Sequence, residues 1–286
     1  MVTPVVRTST GPKLDHLAIG VARWADSYPR FVSALGGKWG YGGPNGDFAP
    51  YQLDFGEGLR LEFIAPHTPG GFMERFIERR GPSAHHFTFK VPSLDDTIDD
   101  LARLGFEIGG ESREQPVWLE AFIHPKQTGV GTLVQVVESD DRFIDGQASK
   151  MPAPQDFPEP NDGAQGIALV GVTTSDLGRA HDLLVTALLG DVLDSDNGWF
   201  FVSWGDHRSL LVRDHTVSPW APPLWDTAAD DGVAFVLFGS ENQTAATLHE
   251  STQLLTRLPH EAATGIPVWL LEPNRTKSKS MPISLP

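Results

Sequence analysis

Two histidines lie on strand-like segments in the first half of the chain. His16 belongs to Leu14–Val21, with the sequence LDHLAIGV, and His86 belongs to His85–Val91, with the sequence HHFTFKV. Alternate residues of a strand share a face. His16 and His86 therefore point away from the apolar residues that would pack under a helix, whereas His85 falls on that helix-packing face.

Each of these strands is followed, at nearly the same distance, by a polar residue inside an apolar strand. Glu62 follows His16 by 46 residues, and Gln135 follows His86 by 49 residues. Two imidazoles and two oxygen donors suit one divalent Fe, Mn, Co, Ni or Zn ion. Each residue taken alone is more often structural, so the matched repeat is what predicts a metal site at His16, Glu62, His86 and Gln135.

Helix signals separate the strands of the repeat. Ser27 and Pro29 suit the start of a short helix that Gly36 ends, and Ser93 suits the N-cap of a helix that ends at Gly105. The pattern reads as a βαβββ module that occurs twice. The predicted strands of this half are Leu14–Val21, Tyr51–Phe55, Leu59–Ile64, His85–Val91, Trp118–Ile123 and Thr132–Val137.

The second half repeats the pattern more loosely. Its predicted strands are Ile167–Thr173, Trp199–Trp204, Ser209–Arg213, Val233–Phe238 and Pro267–Leu271, with helices at Asp176–Leu189 and Ala245–Leu258. The positions equivalent to the ligands fall near Ile167, Val233 or Ala234, Leu211 and Leu271. Apolar side chains cannot coordinate an ion, so we expect a degenerate, metal-free copy. We expect this copy to cover or extend the cup, which is the metal-binding face of the first half's sheet.

A proline-rich segment divides the chain. Four prolines between residues 149 and 163 exclude a helix or a central strand there. We predict a metal-binding domain at 1–145, a linker at 146–163, the metal-free domain at 164–273, and a disordered tail at 274–286.

Composition narrows the class of protein. A net charge of −15 disfavours nucleic acid and anionic membranes as partners, and the absence of cysteine excludes disulfides and thiolate chemistry. The first residues lack a signal peptide's apolar stretch, and no apolar run is long enough to span a membrane. We expect a cytoplasmic enzyme that acts on a small molecule, with a homodimer as a possible assembly.

Four motifs resemble those of methylmalonyl-CoA epimerase and its glyoxalase-like relatives in the vicinal oxygen chelate superfamily. They are LDHLAIGV, LEFIAP, ERRGPSAHHFTFKV and FIHPKQTGVGTLVQVVE, in that order, within residues 13–139. The resemblance implies an α+β fold with four βαβββ modules in two glyoxalase-like domains, whose mixed sheets are cupped. It also implies that a divalent metal lies in the first cup, on His16, Glu62, His86 and Gln135.

The chain departs from the family's pattern at two places. The last ligand is typically Glu and is Gln135 here, and the epimerase's catalytic Glu falls near Gly46, with Asp47 the nearest acid. Glu57 and Glu120 are further acids within the same half.

Four protein ligands would leave two adjacent positions for a substrate with neighbouring oxygens. Such chelation favours proton transfer beside a carbonyl, as in an epimerase, isomerase or lyase, with Glu62 or Asp47 as the base. One alternative is an extradiol-type Fe(II) dioxygenase that uses His16, His86 and Glu62, although the resemblance places the metal of those enzymes in the C-terminal half. Another is a binding protein of the bleomycin-resistance type, which lacks the metal ligands.

Overall fold

The computed structural model describes residues 11–56, 58–141, 151–163, 166–205, 208–217, 225, 230–239 and 255–271. Within them the chain forms two mixed β-sheets, of eight and seven strands. The first contains β1 (Lys13–Gly20), β2 (Lys38–Gly42), β3 (Phe48–Asp54), β4 (Arg60–Pro66), β5 (Ser83–Lys90), β6 (Ile108–Gln115), β7 (Trp118–Ile123) and β8 (Leu133–Ser139). The second contains β9 (Gly166–Thr174), β10 (Asp191–Asp196), β11 (Trp199–Ser203), β12 (Ser209–Asp214), β13 (Gly232–Gly239), β14 (Leu255–Arg257) and β15 (Val268–Leu271).

The first sheet is built from two modules that meet at its centre. Its strand order is β2-β3-β4-β1-β5-β8-β7-β6, so each module contributes four strands to one side. The central strands β1 and β5 are antiparallel, while β4 runs parallel to β1 and β8 runs parallel to β5. This arrangement confirms the repeated βαβββ pattern.

The second sheet repeats the order of the first. Its strands run β10-β11-β12-β9-β13-β15-β14, with the same parallel pairs flanking an antiparallel centre. Among the described residues it differs by lacking a counterpart of the outermost strand β6. The fold is therefore α+β, with two glyoxalase-like domains, as the sequence predicted.

Helices connect the strands, and most of their predicted ends are confirmed. The helix Tyr28–Ala34 follows Ser27, and the helix Leu94–Arg103 follows Ser93, whose hydroxyl accepts a hydrogen bond from the Asp96 amide. The other helical segments are Trp24–Asp26, Phe72–Arg80, Pro125–Thr128 and Leu177–His181, which continues through Asp182–Ala187. The sequence pattern does not predict the helix Phe72–Arg80, because four apolar residues among five charged ones give only a short apolar pattern.

One hydrophobic core lies between the two sheets and includes their helices. Phe31 packs on Phe63 of the first sheet and on Phe238 of the second, and Phe89 packs on Trp204. The second half therefore covers the helix-bearing face of the first sheet. The expectation that it would cover or extend the first half's cup is not met, because buried apolar residues of both halves form one core on the helix-bearing side.

The described part of the proline-rich segment, residues 151–163, has no helix or strand and packs on the first domain. Trp39 donates its indole N–H to the Met151 carbonyl, and Phe157 contacts the rings of Tyr28 and Trp39.

Some predictions concern residues outside the described ranges: the tail 274–286, residues 245–254 of the predicted helix Ala245–Leu258, and Glu57. The end of that predicted helix is wrong, because Leu255–Arg257 form the strand β14 and pair with β15. None of the described helices has the length and apolar character needed to cross a membrane.

Candidate metal centre

Two β-bulges on the central strands bring consecutive side chains together. A register shift between Leu14 and His16 leaves Asp15 as an extra residue in β1, and a second shift leaves His85 as an extra residue in β5. A bulge re-aims side chains that would alternate on a regular strand. As a result Asp15 contacts His16 and His85 contacts His86, so placing His85 on the helix-packing face was wrong.

Three of the predicted ligands converge on the face of the first sheet that points away from the shared core, here named the cup face. Donor atoms of His16, Glu62 and His86 all lie within 4.8 Å of one another. The Glu62 Oε2 atom is 3.6 Å from His16 Nε2 and 3.9 Å from His86 Nε2. The two histidines are buried, and the Glu62 side chain is 12% exposed.

These separations fit a shared ion. Two donors that are each about 2.1 Å from one ion lie roughly 3 to 4 Å apart. Two imidazoles and a carboxylate are also a donor set that first-row divalent metals accept. The cluster formed by His16, Glu62 and His86 could therefore hold a divalent metal.

Asp15 fixes the ring of His16. Its Oδ2 atom lies 2.8 Å from His16 Nδ1, and Arg60 donates to the same carboxylate at 2.6 Å. Burial alone would raise the pKa of Asp15, but Arg60, the hydrogen bond with His16 and the nearby Lys90 hold that pKa well below its usual value. An ionised Asp15 requires a proton on Nδ1, which directs the Nε2 lone pair of His16 towards Glu62.

His85 contacts the ring of His86, as Asp15 contacts the ring of His16. The two Nδ1 atoms are 2.8 Å apart, so one ring donates to the other. Burial lowers the pKa of His86 well below its ordinary value, and His85 and His16 lower it further. Burial, with a contribution from Arg80, lowers the pKa of His85 to about 4. Both rings are therefore neutral near pH 7, the protonation state that a metal ligand requires.

A glutamine on the neighbouring strand orients Glu62. Gln52 lies directly opposite Glu62 in the β3–β4 pair, and its Nε2 atom donates to Glu62 Oε1 at 3.2 Å. This leaves Oε2 facing the two imidazoles. The signal for Gln52 in the sequence is a polar residue among apolar neighbours, which is too common to identify it.

Gln135 also reaches the cluster. Its Oε1 atom accepts a hydrogen bond from Thr88 Oγ1 at 2.5 Å, and the same hydroxyl lies 2.9 Å from His16 Nε2. Its Nε2 atom donates to Glu120 Oε2 at 2.6 Å, and the Trp118 indole donates to that same oxygen. Glu120 thus holds the amide of Gln135 so that the carbonyl oxygen, the better metal ligand, faces the histidines.

Asp47 does not join this group. Its carboxylate accepts a hydrogen bond from the Phe72 amide, and its carbonyl accepts one from the amide of His67. Asp47 precedes Gln52 by five residues, which places it about 16 Å along the strand from the level of Glu62. Its carboxylate therefore stabilises a helix N-terminus.

The cup of the second sheet is apolar at the corresponding positions. By strand register, Leu211 takes the place of Glu62 and Phe235 takes the place of His86, and both lie in a buried cluster with Phe201 and Trp269. Within the described residues, the cluster of the first sheet is the single group of three or more potential metal-binding side chains.

Comparisons with known proteins agree with this fold. Residues 15–119 match the family model of the Glyoxalase/Bleomycin resistance protein/Dioxygenase superfamily. A hypothetical protein from Staphylococcus aureus aligns at 11% identity with a TM-score of 0.55, over 91% of this chain and 98% of its own. That likeness spans both halves, so the two-domain fold occurs elsewhere.

Two epimerase structures match a little less than half of the chain. Methylmalonyl-CoA epimerase from Mycobacterium tuberculosis aligns at 24% identity with a TM-score of 0.42, over 48% of this chain and 95% of its own. A Streptomyces coelicolor methylmalonyl-CoA epimerase aligns at 18% identity with a TM-score of 0.40, over 44% and 96%. A comparison with curated proteins finds no match.

Proposed function

Because its N-terminal half is a domain of the glyoxalase/bleomycin resistance/dioxygenase superfamily, we propose that this chain is a metal-dependent enzyme that transfers a proton on a small, oxygen-chelating substrate. The observation that supports this most is the buried convergence of His16, Glu62 and His86 on the open face of the first sheet. We assign these three residues and Gln135 as the ligands of one divalent metal ion.

The bound ion would supply Lewis-acid polarisation of a substrate carbonyl. The protein's own residues prepare the site for it. Asp15 holds the imidazole of His16 in the orientation and tautomer required, His85 orients the ring of His86, and Gln52 orients the carboxylate of Glu62. Glu62 is the one charged ligand, since Gln135 is neutral, so the loaded site keeps a net positive charge that favours an enolate or alkoxide.

The base that moves the proton is a carboxylate near this cluster. Asp47 is too distant and Asp15 is held by His16 and Arg60, so the remaining acids at the site are Glu62 and Glu120. Glu120 lies one hydrogen bond from Gln135, at the edge of the cup. We therefore assign proton transfer to Glu120 in place of Asp47, with Glu62 as the ligand.

The first experiment measures metal content and affinity. Elemental analysis of the purified protein should find one divalent ion per chain. Competition with a chromophoric chelator should show at least a tenfold loss of affinity in His86→Ala and Glu62→Ala. His124→Ala is the matched control, since His124 caps a surface helix and lies outside the cluster. Wild-type protein that binds no divalent ion would exclude the proposal.

The second experiment tests the reaction type. Metal-loaded protein is incubated in D₂O, without air, with a panel of 2-hydroxy and 2-oxo carbonyl compounds, and NMR records the loss of the proton beside the carbonyl. Exchange should persist with Co(II) or Mn(II), should fall by about 100-fold or more in Glu120→Gln, and should be unchanged in Asp47→Asn. If exchange instead persists in Glu120→Gln and is lost in Asp47→Asn, the base is Asp47.

A ring-cleaving dioxygenase is the second candidate, because two histidines and one carboxylate are also the ligand set of non-haem Fe(II) oxygenases. Activity on a catechol that requires both Fe(II) and O₂ would support it over proton transfer.

A further inference from the structure

A small pocket with three arginines adjoins the candidate metal centre. It has a volume of about 230 Å³ and is lined by Phe72, Arg75, Phe76, Arg79, Arg80 and His85. Five of these residues belong to the helix Phe72–Arg80, here named the arginine helix. Its Met73 packs on Ala18 and Ile64 of the cup face, so the helix and its pocket lie on the same face of the sheet as the metal centre.

The arginine helix separates its charges by face. At about 100° per residue, the five pocket residues fall on one side of the helix, and Glu74 and Glu78 fall on the opposite side. Arg75 and Arg79 are spaced i and i+4, a spacing at which like charges repel each other. The helix dipole favours Arg79 and Arg80 in the last turn, but it does not select a face and does not explain Arg75.

Among the described residues, no carboxylate forms a salt bridge with these three arginines. Other arginines of this acidic chain bind carboxylates, as in Arg23–Asp26, Arg60–Asp15 and Arg103–Asp100. Across the described ranges, by contrast, no salt bridge involves Arg79 or Arg80. Arg75 donates to the Gly70 carbonyl. A concentrated positive charge beside two phenylalanine rings is suited to an anionic group carried on an apolar or aromatic fragment.

The pocket's size and position indicate what part of a molecule it takes. Whole drug-sized ligands occupy roughly 300–1,000 Å³, so this pocket fits one group and not a complete substrate of that size. It shares His85 with the metal centre, and the ring centroids of His85 and His86 are only 5.1 Å apart. A molecule that chelates the metal can therefore extend an adjacent group into the pocket.

We propose that the arginine pocket binds a phosphate or carboxylate group of the substrate, so that the substrate is an anion whose charged group lies a few bonds from its chelating oxygens. The assignment of this pocket to the substrate rests on the proposed function. The binding of an anion does not, because Arg75, Arg79 and Arg80 are present whether or not the metal is bound.

The test uses metal-free, full-length protein with phenyl phosphate and benzoate as anionic probes and benzyl alcohol as the neutral probe, measured by calorimetry at low salt. We expect binding of at least one anion, and none of the alcohol. Affinity should weaken with added NaCl and should fall about tenfold or more in the double variant Arg79→Gln/Arg80→Gln. The preferred anion distinguishes a phosphate site from a carboxylate site.

Arg103→Gln is the matched control, since it also removes an exposed arginine from the last turn of a helix. Circular dichroism confirms that each variant is folded. Equal anion affinity in the double variant and the control, or no anion binding at millimolar concentration, would overturn the pocket assignment. Loss of anion binding with unchanged metal affinity supports it even if the proposed reaction is wrong.

Discussion

At the scale of single residues, the site depends on groups that touch the ligands and not the metal. Asp15 accepts from His16, is almost fully buried, and is bound by Arg60. An ionised carboxylate at this position makes the imidazole a stronger donor and prevents its rotation. If the proposed metal binds, its affinity will therefore depend on a residue that is not itself a ligand.

We predict that Asp15→Asn lowers the affinity for metal by about 10- to 100-fold, which is typical for the loss of such a partner. Chelator competition at a temperature where both proteins are folded measures it. Asp141→Asn is the control, because Asp141 also pairs with Lys90 but does not touch His16. Equal affinities in the two variants would refute the role given to Asp15.

The buried histidines make the metal-free protein sensitive to acid. In the unfolded chain their pKa is near 6.5, whereas in the fold it is about 4 for His85 and well below 6.5 for His86. Below pH 6.5 the unfolded state therefore binds protons that the folded state does not, and stability falls as the pH falls from 6.5 towards 4. Each histidine contributes a slope of at most about 1.4 kcal/mol per pH unit.

Urea unfolding in EDTA at pH 7, 6 and 5 measures this slope. His85→Asn removes one titrating group and should give a shallower dependence on pH than the wild type. A wild-type stability that is flat between pH 6.5 and 5 would contradict the prediction.

At the scale of secondary-structure elements, one close contact between the two halves of the chain requires a glycine. Gly131 has a φ of +62°, and a Cβ atom there would lie 2.3 Å from the Asp231 carbonyl carbon in the other half. Gly131→Ala should therefore reduce the free energy of unfolding by about 1–3 kcal/mol, through both the backbone strain and the clash.

Gly109→Ala is the control for Gly131, because an added Cβ there would meet nothing within 4 Å. Denaturant unfolding of both variants measures the difference. Similar losses in the two proteins would show that the contact of Gly131 with Asp231 contributes little.

Most strands and helices could be predicted because their apolar periodicity and end signals are local, whereas the mostly exposed strands β6 and β10 carry no such pattern. The ligands could be proposed because a repeat duplicates their spacing. The contacts of Asp15 and His85 could not be predicted, since a bulge changes which side chains share a face and leaves no mark on periodicity. The packing of the second half also escaped prediction, because alternation shows that a face is apolar but not what covers it.

At the scale of the whole molecule, the shared core joins the two domains. Arg179 of the second domain stacks on Phe106 and donates to the carbonyls of Leu104, Gly105 and Gln127 in the first. The carbonyls at the C-terminal end of the helix Leu94–Arg103 therefore have a cationic hydrogen-bond donor from the second domain.

We predict that the two domains unfold together, in a single calorimetric transition. Arg179→Ala should lower stability by about 2–3 kcal/mol, because it leaves three carbonyls without this partner. Arg103→Ala, at an exposed ion pair, should change stability by about 0.5 kcal/mol or less. Two separate transitions in the wild type would show that the domains are thermodynamically independent.

The placement of the core between the sheets has a consequence for how this molecule can change over evolutionary time. The residues that hold the chain together face inwards, and the residues that could do chemistry line the opposite faces of the sheets. A cup can therefore gain or lose polar side chains without weakening the contact between the domains. In the second sheet, Leu211 and Phe235 occupy the positions of Glu62 and His86, so its cup is filled by apolar side chains while the contact between the domains is kept.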